Sequence, residues 1–221
     1  MRELPFGRGP EPRVKICGIT CWADARAAVA AGADALGFNF HPPSPRYIEP
    51  RKAAQIARRL PKRVVKVGVF VDAPVDEIRR IADAVGLDAV QLHGGERPGR
   101  VRQAAAFRAT IKAFRVRPGF PIARFKAFPD AAAFLLDGYR PGVHGGTGTR
   151  FDWRLARQAA RYGPVILAGG LRAENVAEAI SRARPYAVDV SSGVEARPGK
   201  KDAVKVREFL RQVRRVRRKR R

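Results

Sequence analysis

Eight short runs rich in β-branched and aromatic residues recur along the chain, and stretches with helically spaced apolar residues separate most of them. The runs are VKIC, ALGFNF, VVKVGVFV, AVQLH, TIKAFRV, FLLD, VILAG and YAVDVS. Runs that are apolar on both faces are typical of parallel strands covered by helices on each side. Eight strand–helix units within 221 residues therefore predict an α/β fold, a single (β/α)8 TIM barrel.

The stretches between the strands differ in helical quality. Acidic residues that suit a helix N-terminus begin DEIRRIADA, and one follows the first residue of KDAVKVREFLRQV. The stretch between the fifth and sixth strands, RPGFPIARFKAFPDAAA, contains three prolines, so we expect an irregular or absent helix there. An open doubly wound sheet is the alternative fold, but no G-x-G-x-x-G follows the first strand.

The chain is strongly basic, with a formal net charge of +25 from 45 basic and 20 acidic residues. Such a charge attracts polyanions, so nucleic-acid binding by the basic surface and tail is one alternative function. Eight of the last eleven residues are basic. We expect an irregular leader over residues 1–13, one barrel domain over 14–213, and a disordered basic tail over 214–221.

Several classes of protein do not fit this sequence. The chain contains no run of 18 uncharged apolar residues, and its first residues lack the apolar centre of a signal peptide. We therefore expect a cytoplasmic protein with no membrane partner. Two cysteines cannot build a disulfide framework, and with three scattered histidines they form no recognisable zinc pattern. No metal site is predicted.

Chemically versatile side chains stand at the ends of four predicted strands: Cys17, His93, Asp137 and Asp189. Active sites of (β/α)8 barrels lie at the C-terminal ends of the strands, so these four side chains are candidates for one site. Cys17 also has a simpler interpretation, as a small buried hydrophobic residue.

Two loops rich in glycine and serine follow the seventh and eighth predicted strands. The first contains Gly169 and Gly170 ahead of a predicted helix, and the second contains Ser191 and Ser192. Backbone N–H groups and hydroxyls at such positions bind anions, and these two loops commonly form the phosphate site of a barrel. The pair of loops therefore predicts a phosphate-binding site.

Ordered motifs run through nearly the whole chain: VKICGIT, GADALGFNF, SPRYI, KVGVFVD, VQLHGGE, FLLD, GGTGTRFDW, LAGGLRAENV and VDVSSGVEARPGKKD. Over about Val14 to Val213 the chain resembles the phosphoribosylanthranilate isomerase family. The resemblance implies a (β/α)8 barrel of tryptophan biosynthesis. It also implies a small-molecule substrate with a phosphate and a carboxylate, N-(5-phosphoribosyl)anthranilate, which undergoes an Amadori rearrangement without a cofactor.

The resemblance also implies roles for individual residues. Cys17 matches the general base and Asp137 the general acid, while Arg46 matches the arginine that binds the anthranilate carboxylate. His93 and Asp189 match positions that line the substrate, and the phosphate-binding positions correspond to Gly169, Gly170, Ser191 and Ser192.

These roles make chemical demands on two of the residues. A free thiol has a pKa of about 8.5, so we expect the pKa of Cys17 to be lowered, with Lys15 on the same strand face as a candidate cation. Asp137 must hold a proton in order to donate it, which desolvation in the barrel mouth favours.

Some residues depart from the family pattern. Thr149 stands where many members have lysine, and Arg150 restores a basic group one position later. Cys21 and Trp22 replace the usual polar pair after GIT. A barrel isomerase of histidine biosynthesis performs the same rearrangement, but its base is normally an aspartate, so Cys17 and the anthranilate-type Arg46 favour the tryptophan-pathway activity. Monomer and homodimer both remain open.

Overall fold

The structure is a computed structural model that describes residue 6, residues 12–138 and residues 153–219, with side chains up to residue 216. Eight parallel strands form a closed barrel in sequential order, because β1 is hydrogen-bonded to both β2 and β8. The strands β1 to β8 are Arg13–Cys17, Ala35–Asn39, Val65–Phe70, Ala89–Leu92, Ala109–Val116, Ala133–Gly138, Val165–Leu167 and Ala187–Val190. The predicted barrel and its eight strands are confirmed.

Helices cover the outside of the barrel. Within the described ranges the α-helices α1 to α7 are Trp22–Ala31, Pro50–Ala57, Val75–Val85, Pro98–Ala105, Arg154–Ala159, Ala173–Ala183 and Ala203–Lys219. Between β5 and β6 the chain forms a 3-10 helix, Ile122–Ala127, which confirms the predicted irregularity. Further 3-10 helices are Ala160–Tyr162 and Ser192–Val194. An antiparallel hairpin of β9 and β10, Glu195–Arg197 and Lys200–Lys201, precedes α7.

The apolar core has two layers, because successive side chains of a strand point to opposite faces. In β6, Phe134 and Leu136 pack outwards against the helices, whereas Ala133 and Leu135 fill the barrel interior. The inner layer is rich in alanine. Small side chains suit a closed barrel, whose interior is filled by residues from every strand.

Phe6 closes the N-terminal end of the barrel. Its ring is 4% exposed and belongs to the inner cluster that contains the first residues of several strands, including Ala35 and Ala187. It meets Tyr186 edge to face, with 5.9 Å between the ring centroids. The cavity described below lies at the opposite, carboxyl end of the strands.

The last helix extends further than expected. We predicted a disordered tail from residue 214, but α7 continues to Lys219. Arg214 Nη2 donates a hydrogen bond to the Ala31 carbonyl at the end of α1, and Val216 packs against the core, so these contacts offset the repulsion between like charges. Residues 220 and 221 lie outside the described range. None of the helices described is both long and apolar enough to span a membrane.

Candidate active site

A cavity of about 460 Å³ lies at the carboxyl ends of the barrel strands. The nine residues predicted for a site all line it: Cys17, Arg46, His93, Asp137, Gly169, Gly170, Asp189, Ser191 and Ser192. The barrel closure brings together loops that are far apart in sequence, as expected for an active site of this fold. Thr149 and Arg150, which depart from the family pattern, lie outside the described residues.

Cys17 is the last residue of β1 and packs beside Gly37 of the neighbouring strand β2. A Cβ atom at Gly37 would lie 2.7 Å from Cys17 Sγ, so the glycine makes room for the thiol. Lys15, two residues earlier on the same strand face, is fully buried and donates to Asp189 Oδ1 at 3.0 Å. Burial opposes the charge of Lys15, but Asp189 and Cys17 outweigh it and raise the pKa of the ammonium group.

The pKa of Cys17 differs from the sequence-based expectation. Burial raises the pKa of the thiol above its ordinary value, and the Asp189 carboxylate adds to this effect. The ammonium groups of Lys15 and Lys201 act in the opposite direction but do not outweigh burial. The prediction of a lowered pKa is therefore wrong, although the expected cation, Lys15, is present.

The part of the cavity around Asp137, the predicted general acid, is formed by the ends of β4 and β6, and we call it the acid half of the site. His93 Nε2 lies 3.5 Å from Asp137 Oδ2, and Asp137 is 7% exposed. His93 Nδ1 lies 2.9 Å from Nε2 of Gln91, whose Oε1 accepts a hydrogen bond from Lys15 at 3.0 Å. The buried Lys15 and Gln91 and the partly exposed His93 thus connect the Cys17 side of the cavity to the Asp137 side.

Arg46 is held by a carboxylate from the hairpin after β8. Its Nε and Nη2 donate to Glu195 Oε1 and Oε2 at 2.9 and 2.8 Å, a two-point contact. Lys201 donates to the same carboxylate at 2.8 Å. Burial opposes the charge of Glu195, but Arg46 and Lys201 outweigh it and hold the pKa of this carboxyl below its usual value.

The hairpin is itself fixed to the loop that follows Cys17. Thr20 Oγ1 donates to the Gly199 carbonyl at 2.6 Å, and the ammonium of Lys200 donates to Asp24 Oδ1 at 2.6 Å. The backbone N–H of Lys201 donates to Asp24 Oδ2 at 2.8 Å. The loops after the first and eighth strands therefore form one unit around the thiol.

The two glycine-rich loops lie against each other. Gly169 and Gly170 have φ angles of +81° and +64°, a region that favours glycine, and lead into α6. Asn175 donates to the Gly170 carbonyl at 2.9 Å and fixes this turn. A Cβ atom at Gly193 would collide with the carbonyl of Leu171, so only glycine permits this close approach of the two loops. Backbone dipoles at the start of an 11-residue helix suit an anion.

Sequence reasoning left Gln91, Glu195 and Lys201 without a role. Gln91 carried a recognisable signal, because it is a polar residue within an apolar strand and lies on the same face as His93. The contacts of Glu195 and Lys201 depend on the folded hairpin. No cluster of metal-ligating side chains occurs within the part of the chain that the structure describes.

The fold and cavity define a (β/α)8-barrel enzyme with ionisable groups at the carboxyl ends of its strands. A family model described as N-(5'phosphoribosyl)anthranilate (PRA) isomerase matches residues 14–212. The chain therefore belongs to the phosphoribosylanthranilate isomerase family. It is an aldose–ketose isomerase of tryptophan biosynthesis.

Individual relatives agree with this assignment. The N-(5'-phosphoribosyl)anthranilate isomerase of Geobacter sp. (strain M21) is 54% identical over 209 residues, which cover 92% of this chain and 98% of the relative. The crystal structure of phosphoribosyl anthranilate isomerase from Thermotoga maritima has a TM-score of 0.87 and 43% identity, covering 92% of this chain and 99% of that one. A complex of such an isomerase with reduced 1-(o-carboxyphenylamino)-1-deoxyribulose 5-phosphate has a TM-score of 0.83, 42% identity and coverages of 92% and 99%. These relatives do not support nucleic-acid binding or a histidine-pathway activity as the main function.

Proposed function

We propose that the chain converts N-(5'-phosphoribosyl)anthranilate into 1-(2-carboxyphenylamino)-1-deoxyribulose 5-phosphate, with Cys17 as general base and Asp137 as general acid. The observation that carries this proposal is that the thiol and the carboxyl line one cavity, together with both glycine-rich loops. The complex of a homologous isomerase with the reduced form of this product supports the substrate assignment.

The chemistry requires one acid and one base. Protonated Asp137 gives its proton to the ring oxygen of the ribose, the bond from C1 to that oxygen breaks, and the anthranilate nitrogen forms an iminium with C1. The Cys17 thiolate then removes the proton from C2, and the electron pair forms the C1–C2 double bond while the iminium electrons return to nitrogen. The resulting enaminol loses its hydroxyl proton and gains one at C1, which gives the ketone. Exchange with solvent restores both side chains.

The charges around Cys17 fit the role of a base. Lys15 and Lys201 are the groups that stabilise the thiolate against the effect of burial. Asp189 accepts a hydrogen bond from Lys15 and faces the cavity, where it and His93 position the substrate hydroxyls.

The remaining predicted residues bind the two anionic ends of the substrate. Arg46 uses two of its five N–H donors on Glu195, so the others are free to bind the anthranilate carboxylate. The phosphate lies at the loops after β7 and β8, bound by Gly169, Gly170, Ser191 and Ser192 beside the start of α6. The two anion sites fix the sugar between base and acid.

The proposed reaction also bears on the cofactor requirement, the extent of the domain and the assembly. The substrate nitrogen serves as the electron sink, so the reaction needs neither a metal nor an organic cofactor. One isomerase domain contains residues 14–213 together with Phe6 and the packed part of α7 up to Val216, and the basic residues after Val216 are not required for catalysis. Cys17 must remain a free thiol, which suits the reducing cytoplasm. A homodimer is one candidate assembly, since the Thermotoga maritima relative is described as dimeric.

Turnover of the purified protein with this substrate tests the proposal, with Cys17→Ser and Asp137→Asn measured beside wild type. We expect active wild type and a loss in kcat of roughly 100-fold or more in each variant, the usual scale of acid–base catalysis. Cys21→Ser is the matched control, because it removes the other free thiol. Folded but inactive wild type would overturn the function, and full activity of either catalytic variant would overturn that residue's role.

A further inference from the structure

Three side chains form a line of hydrogen bonds between the proposed base and the proposed acid. Lys15 donates to Gln91 Oε1 at 3.0 Å, and Gln91 Nε2 lies 2.9 Å from His93 Nδ1. Lys15 and Gln91 are 0% and 1% exposed, so water does not compete for these bonds. Gln91 has no part in the proton transfers described above, although it occupies the centre of this line.

The ammonium group of Lys15 fixes the orientation of the Gln91 amide. An ammonium carries only donors, so the amide must present its oxygen to Lys15 and its NH2 group to the other side. The carboxylate of Asp189, 3.0 Å from the same ammonium, keeps Lys15 charged. A reversed amide would place two donors against each other in a buried site, which is costly.

The orientation of Gln91 in turn determines which nitrogen of His93 carries the proton. The Gln91 NH2 group is a donor, so Nδ1 of His93 must accept. A neutral imidazole then has its proton on Nε2, and that nitrogen faces Asp137 Oδ2 at 3.5 Å. The other oxygen, Oδ1, lies beside the Gly169 loop, where a Cβ atom would be 2.9 Å away.

We propose that Gln91 is a positioning residue of the acid half of the site: held by Lys15, it fixes the Nε2–H form of His93, which presents this N–H group to Oδ2 of Asp137, 3.5 Å away. The Asp137 carboxyl is thereby oriented with Oδ1 as the oxygen that carries the proton for the substrate. This inference deepens the proposed function and rests on the role of Asp137 as acid.

The variant Gln91→Glu tests the inference with little change in size. Both oxygens of a carboxylate accept, so His93 must donate from Nδ1, and a neutral imidazole then has no proton on Nε2 to present to Asp137. Nitrogen NMR of the full chain labelled with 15N-histidine distinguishes these two forms, and the spectrum of a His93→Gln variant identifies the signals of His93 among the three histidines. With spectra recorded at a pH where the imidazole is neutral, we expect the Nε2–H form in wild type and the Nδ1–H form in Gln91→Glu.

Kinetics provide the second readout. We expect kcat of Gln91→Glu to fall roughly 10- to 100-fold with little change in KM, by analogy with the loss when the hydrogen-bond partner that orients a metal-binding histidine is removed. Gln103→Glu is the matched control: it makes the same chemical change at an exposed position of α4 and leaves tautomer and kcat unchanged. If Gln91→Glu does not fold, Gln91→Met replaces it and is expected to lose the single tautomer of wild type.

Each outcome decides one of the two proposals. An Nδ1–H form in wild type, an unchanged tautomer in the folded variant, or a changed tautomer with wild-type kcat would overturn the role of Gln91. Inactive wild type with the expected Nε2–H form would instead overturn the proposed function, because the NMR measurement needs no turnover.

Discussion

Arg46 and Glu195, 149 residues apart in the chain, form a two-point ion pair at the cavity with N–O distances of 2.9 and 2.8 Å. The arginine is 13% exposed and the glutamate 4%, so solvent screens the pair only weakly. Glu195 fixes the plane of the guanidinium, and the remaining N–H groups acquire a defined direction into the cavity.

Replacing Arg46 by lysine tests this geometry. Lysine keeps the charge but loses the planar, two-point contact, so we expect KM to rise about tenfold, or about 1.4 kcal/mol, with a smaller change in kcat. Steady-state kinetics measure both constants. Arg51→Lys, at an exposed position of α2, is the control and should leave both unchanged. An unchanged KM for Arg46→Lys would contradict a role in substrate binding.

The raised pKa of Cys17 predicts the pH range in which its thiolate forms. The base is active as thiolate, and a raised pKa means that the free enzyme holds the thiol proton to higher pH. We therefore expect the thiolate of Cys17 to form in the free enzyme only above about pH 8.5, the ordinary thiol value. The ultraviolet absorbance of the thiolate, taken as the difference between wild type and Cys17→Ser with stability checked at each pH, measures this titration. A Cys17 thiolate already formed below neutral pH would contradict a raised pKa.

A buried ion pair supports the loop that carries His93. Lys112 donates to Glu96 Oε2 at 2.6 Å, and the two side chains are 3% and 0% exposed. Glu96 also accepts from the backbone N–H groups of Asp72 and Gly94 at 3.0 and 2.9 Å. We expect Glu96→Gln to cost about 3 kcal/mol, because Lys112 is left buried without its counter-charge.

Thermal unfolding measures this effect, and a fall in Tm of roughly 6–12 °C corresponds to that cost in a chain of this size. Burial opposes the charge of Glu96, but Lys112 outweighs it and lowers the pKa of the carboxyl. The stabilisation is therefore present at neutral pH and is lost as the pH falls below the ordinary value of about 4.3, and Glu96→Gln should weaken this acid sensitivity. Glu49→Gln, which removes an exposed pair with Lys52, should change Tm little.

Phe6 is expected to contribute to stability although it lies far from the cavity. Phe6→Ala removes a buried ring that closes the barrel, and substitutions of this type cost about 3–5 kcal/mol. Denaturant unfolding measures the loss, and kcat at low temperature should be retained. Val204→Ala, at a position that is 65% exposed, is the control. An unfolding free energy equal to wild type would show that Phe6 does not seal the barrel.

The fold was predictable because every strand carries its own local signal. The run FLLD, for example, is apolar over three residues and corresponds to β6, which is buried throughout. The β9–β10 hairpin had no such signal, because its strands have three and two residues and depend on contacts with Thr20 and Asp24. The continuation of α7 was missed for a similar reason, since it depends on the contact of Arg214 with α1.

The members of the site were easier to predict than their electrostatics. Strand ends and the family motifs identified residues that line one cavity. The direction of the Cys17 pKa shift required the balance between burial and the ammonium groups of Lys15 and Lys201, and sequence gives the sign of each charge but not the extent of burial. The orientation of the Gln91 amide likewise depends on Lys15, which lies 76 residues away in the chain.

The ion pair between Arg46 and Glu195 also has a consequence for protein synthesis. Ribosomes add roughly 5–20 residues per second, so about 7–30 seconds pass between the translation of these two residues, which lie 149 positions apart. During that interval the arginine has neither Glu195 nor the hairpin that fixes it. The nascent chain therefore has no ordered carboxylate site until β8 and the hairpin have been translated, and catalytic competence is among the last properties that the growing chain acquires.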